Sequence, residues 1–82
     1  MHLYAAVLGG PLAGDRMGGE GHEVVLVVAE GLSDAKAKAK AKWSGIGHCH
    51  VDALQRIDMV DGFEVALART GEGDRIEVDN YN

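Results

Sequence analysis

Residues 23–29 read EVVLVVA, and this stretch decides the fold class. Five of its seven positions are β-branched or leucine, too short and too branched for a helix and right for a strand. Val25 and Val27 point one way, and Val24, Leu26 and Val28 the other. Apolar side chains on both faces call for cover on both faces, as in the middle of a sheet. Upstream, residues 3–8 (LYAAVL) form a second strand of the same kind, with Leu3, Ala5 and Val7 opposite Tyr4, Ala6 and Leu8. Between the two, residues 9–22 hold six of the twelve glycines and the only proline, Pro11, and read as a long loop. That loop permits either a hairpin or a longer crossing, so strand order is left open.

Downstream, residues 33–43 read SDAKAKAKAKW. The small–charged alternation imitates a strand, but alanine and lysine favour helix and disfavour strand. Ser33 is the expected N-cap, and Asp34 suits the positive end of the helix dipole. Leu32, Ala35, Ala39 and Trp43 fall on one stripe. The alanines allow close approach to a sheet, with Leu32 and Trp43 as anchors at the two ends. Lys38 and Lys40 should be solvated, while Lys36 and Lys42 lay their stems along the stripe. The sequence 44–47 (SGIG) ends the helix.

Residues 49–58 alternate as a strand. Cys49, Val51, Ala53 and Ile57 share one face; His48, His50, Asp52, Leu54 and Arg56 share the other. Val60-Asp61-Gly62 is a hairpin signal, and residues 63–68 return as a strand. Residues 75–78 offer a short further edge strand, and the polar tail 79–82 is expected to fray. The expected architecture is α+β, β-β-α-β-β with an optional last strand: a four- to five-stranded, mainly antiparallel sheet with one helix on one face. It is a single domain over 1–82, with its core at about 2–68 and an edge strand or tail at 69–82. One helix leaves the other sheet face uncovered and apolar, which points to a homodimer packed through that face.

Bulk properties narrow the function. A formal charge of −5 over 82 residues disfavours nucleic acid, which needs a basic face. The single cysteine, Cys49, excludes a disulfide framework and suits a reducing, cytoplasmic setting. No secretory leader is evident at the N-terminus, and no apolar run approaches the roughly 20 residues that span a bilayer.

Chemistry concentrates in two places: Glu20-Gly21-His22 ahead of one strand, and residues 48–52 (HCHVD) opening another. The candidate polar site is Glu20, His22, His50 and Asp52. Two imidazoles and a carboxylate on one face are metal-ligand types, with His22, His48, His50 and Asp52 as the candidates. Without a recognised metal spacing, the preferred reading is a polar strand face whose His and Asp hydrogen-bond the backbone or each other. The same groups could act as a carboxylate–imidazole acid–base pair, but a nucleophile is lacking, since alternation turns Cys49 to the other face. No catalytic residue and no cofactor is assigned. The glycine-rich stretch 9–14 follows a strand as phosphate loops do, but it lacks their Gly-Lys ending and a following helix.

The chain resembles DUF1543, a small bacterial domain of unknown function. The resemblance rests on Leu8-Gly9-Gly10, Glu20-x-His22, Ala35, Trp43, His50-Val51-Asp52 and Asp61-Gly62-Phe63, in that order over about residues 2–68. It implies no biochemical activity. Two positions depart from the pattern. Glu23 stands where the family pattern suggests Asp, and the loop 9–19 is unusually rich in glycine. The functional expectation is a homodimeric binding or interaction module, the alternative a small metal-dependent or acid–base enzyme on the same residues.

Overall fold

A computed structural model describes residues 1–12 and 19–79. Its elements are β1 (His2–Pro11), β2 (Glu20–Ala29), α1 (Leu32–Ala41), β3 (His50–Ile57), β4 (Met59–Val60) and β5 (Phe63–Glu64). β1 is the central strand of a three-stranded sheet in the order β2-β1-β3, antiparallel on both sides. β4 and β5 pair only with each other. Among the described residues the fold is α+β with one helix, as expected, but the sheet has three strands rather than four or five. The chain bends at Asp58 and closes a separate two-residue hairpin instead of widening the sheet. Residues 66–79 join no ladder, so the optional strand at 75–78 is not formed.

Both first strands are longer than their apolar runs. Gly9, Gly10 and Pro11 continue β1 and pair with His22, Gly21 and Glu20. Backbone pairing needs no side chain, so hydropathy could not mark this extension. The connection shrinks to 12–19, and its central residues 13–18 lie outside those described. Of the tail expected to fray, 79–82, all but Asp79 likewise lies outside them.

Even-numbered β1 residues face the helix. Tyr4, Ala6 and Leu8 pack with Val27, Ala29, Ala35, Ala39 and Cys49, flanked by Val25, Trp43, Val51 and Leu54. Four of these eight buried residues are alanine, so the core is thin, as the chain's length dictates. β2 lies at the sheet's edge, not in its middle, and its second face is open: Val24 is 66% exposed.

The helix departs from its expected ends. Gly31, in extended backbone, is the N-cap rather than Ser33, and no side chain caps the helix. Instead the Asp34 carboxylate accepts the Glu30 amide at 3.1 Å. Leu32 is exposed and anchors nothing; Ala35 and Ala39 alone press on the sheet. Trp43 lies past the helix, half-buried, donating its indole N–H to the Ile46 carbonyl at 3.3 Å. Nor is Lys38 simply solvated. Its ammonium donates to the Val28 carbonyl at 2.8 Å, and Lys42 donates to the Leu26 carbonyl at 2.6 Å. Lys38 of the helix and Lys42 at its C-cap therefore both reach the edge strand β2.

Candidate functional site

The site lies at one end of the open sheet face, and Gly9 is its floor. Gly9 alternates with buried Leu8 and so faces away from the helix. Its two neighbours across the ladders are His22 on β2 and His50 on β3. The two histidines of the sequence motifs thus flank one residue that has no side chain. A methyl group at Gly9 would stand 2.8 Å from Asp52 Oδ2, 3.1 Å from His22 Cδ2 and 3.2 Å from Glu20 Oε1. Three polar side chains from two different strands therefore reach over the glycine. Gly9 is needed for this space and not for a positive φ, which is confined among described glycines to Gly47, Gly62 and Gly71.

Asp52 arrives there through a β-bulge. Val7 pairs with Ala53 and Leu8 with Val51, leaving Asp52 as the extra residue. The bulge overturns the simple alternation of residues 49–58. Val51 and Leu54, three apart, both pack on the helix-side core. Asp52 stays on the open face with His50, as the alternation has it, and its Oδ2 lies 3.7 Å from His22 Nε2. Both side chains are about half exposed, so this ion pair is weak in itself.

The remaining candidates separate. His48 sits exposed in the turn before β3, outside the strand that carries His50. Cys49 is buried in the core on the helix side, where it packs as a small apolar residue and has no access to the imidazoles. Glu23, the departure from the family pattern, turns to the helix side. Its two carboxylate oxygens accept the Ser44 amide and hydroxyl, each at 2.8 Å, and fix the chain just after the helix. Its role was invisible in sequence, because Ser44 is 21 residues away.

Glu20, His22, His50 and Asp52 thus occupy one end of the open face around Gly9. Carboxylates and imidazoles so placed can accept hydrogen bonds from a cationic or amine-bearing group, or pass a proton. Among the described residues, no three His, Cys, Asp or Glu side chains are arranged to hold a metal ion.

A model of the Domain of Unknown Function (DUF1543) matches residues 19–67, more than half of the chain, running from just ahead of Glu20 to the segment after β5. The chain belongs to the DUF1543 family. The match takes in all four residues of the polar cluster, whereas the floor residue Gly9 precedes it. No curated protein and no solved structure matches this DUF1543 chain. No described helix is long and apolar enough to cross a membrane.

Proposed function

We propose that this DUF1543 domain is a homodimeric binding module of a reducing compartment such as the cytoplasm. Two copies pack open face to open face, and the cluster around Gly9 receives a small ligand or peptide group that carries positive charge. The observation that supports this reading is the open face itself. Leu3, Ala5, Val7, Val24, Leu26, Val28, Ala53 and Ile57 share it with the uncharged Gln55, and Val24 and Val28 are 66% and 39% exposed. Val65, Leu67 and Ile76 of the same chain line its Leu3 end; the part around Val24 is left bare, and an apolar patch of this kind is costly in water and is normally covered. A second copy supplies a cover of the same shape and character, and none of the side chains just named on this face is charged.

The His22–Asp52 contact at 3.7 Å favours a second reading, a metal-dependent or acid–base enzyme on the same four residues. Native mass spectrometry of untagged protein, purified without chelators, separates the two. The binding module gives a metal-free dimer that Val24→Lys converts to monomer. One bound metal per chain, lost in His50→Ala, would shift the assignment to the enzyme. A wild-type monomer refutes the dimer.

A further inference from the structure

The two edges of the sheet are treated differently. On β2, the Leu26 and Val28 carbonyls are occupied by the Lys42 and Lys38 ammonium groups at 2.6 and 2.8 Å. Lysines at an edge strand are a standard means of refusing a further strand. On β3, the edge away from β1 has no such cover. Among the described residues, no backbone group outside β1 bonds to β3, and no side chain caps its carbonyls. A strand of eight residues is thus left with half its backbone donors and acceptors open.

The chain also carries a segment of strand-like sequence that joins no ladder beyond Glu64 among the described residues, its Val65 and Leu67 lying beside Leu3 and Ile57. Residues 63–68 (FEVALA) alternate as a strand, yet only Phe63 and Glu64 pair, with Val60 and Met59. The Val65 amide donates to the Asp58 carbonyl at 2.9 Å, and ladder bonding ends there. The hairpin that begins this segment exposes Met59, Val60 and Phe63 at 67%, 51% and 76%. Its turn is rigid, with Asp61 and Gly62 at φ 52° and 82°, the pair of positive values a type I′ hairpin requires. A two-stranded hairpin is marginal in water by itself and needs a platform.

We infer that two copies of the chain exchange strands, the return segment 63–68 of one adding to the free β3 edge of the other. This rests on the homodimer reading above and names the contact that closes it. Among the described residues each copy has one segment without a ladder and one unguarded edge, so a two-fold axis satisfies both at once and closes the assembly. The lysine-covered β2 edge directs the exchange to β3.

Proline scanning with native mass spectrometry and hydrogen exchange tests it. Successive strand residues point their N–H groups to opposite sides, so Ala66→Pro and Leu67→Pro together sample both directions. Neither amide is bonded to another backbone group among the described residues, and retained protection of the β1–β2 amides verifies folding. The expected result is a wild-type dimer with protected β3 amides. At least one proline variant then dissociates with a Kd raised tenfold or more, and the outward β3 amides exchange at least tenfold faster. Two proline variants that keep both dimer affinity and β3 protection would overturn the exchange. If Val24→Lys still gives monomer in that case, the face-to-face dimer stands without it; a wild-type monomer overturns both.

Discussion

Gly9 and Gly10 are adjacent and chemically identical, yet they sit on opposite faces and answer to different constraints. A Cβ on Gly9 meets the ends of exposed side chains, Asp52 Oδ2, His22 Cδ2 and Glu20 Oε1, which can swing into solvent. A Cβ on Gly10 meets the Cys49 Cα and the Trp43 ring, both at 3.1 Å, and the His48 carbonyl at 3.2 Å. Backbone cannot step aside in the same way. Gly10→Ala is expected to cost about 1–3 kcal/mol through overpacking. Gly9→Ala should leave the fold within about 0.5 kcal/mol of the wild type, as surface changes do, while dispersing the polar cluster. Urea midpoints check the first pair of values. The ring resonances of His22 and His50 check the second, and unchanged shifts in Gly9→Ala would remove the glycine from the site. The residue types of the cluster were legible in the sequence. The floor beneath them was not, because a glycine advertises neither its neighbours nor the face it lies on.

At the scale of elements, the helix is held to the sheet by two alanines and by lysine tethers. Propensity identified the helix, and the buried stripe through Ala35 and Ala39 was readable from spacing. The tethers were not, since Lys38 and Lys42 bond carbonyls 10 and 16 residues away. Lys42 also meets Asp74 at 2.8 Å, fastening the C-terminal segment to the same edge. These exposed contacts are worth about 0–1 kcal/mol each. Replacing Lys38 and Lys42 together with methionine should therefore move the thermal midpoint little. It should nonetheless uncover the β2 edge and produce species larger than the wild type in concentration-dependent light scattering. Unchanged scattering would show that the ammonium groups do not guard the edge. The bulge at Asp52 belongs to this scale too. Alternation alone put Leu54 with His50 and Asp52; Asp52 keeps its place with His50 on the open face, while one extra residue in the ladder with β1 moves Leu54 to the core.

For the whole molecule, thinness is the governing fact. Among the described residues, Tyr4 and Leu8 are the largest fully buried side chains, and half the core positions are alanine. Leu8→Ala should cost about 2–5 kcal/mol, a large share of the stability of so small a domain. Denaturant unfolding measures it; a loss below 1 kcal/mol would mean the site collapses around the cavity. If a second copy completes the structure, folding and association are one equilibrium, and the melting temperature must rise with protein concentration. A midpoint constant over a hundredfold dilution would count against the obligate dimer.

The sequence by itself determined the class of the chain: two apolar strands, an alanine–lysine helix, a third strand within residues 49–58, and an Asp-Gly hairpin. These follow from propensity, periodicity and turn chemistry, which act between near neighbours. Tertiary structure alone decided that β1 is central, that the strands run on through Gly9–Pro11, and that the hairpin stands apart as a separate pair. It also decided that His22 and His50 flank one glycine. Strand order and register depend on backbone hydrogen bonds between residues far apart in the chain, and a backbone group is the same at every position.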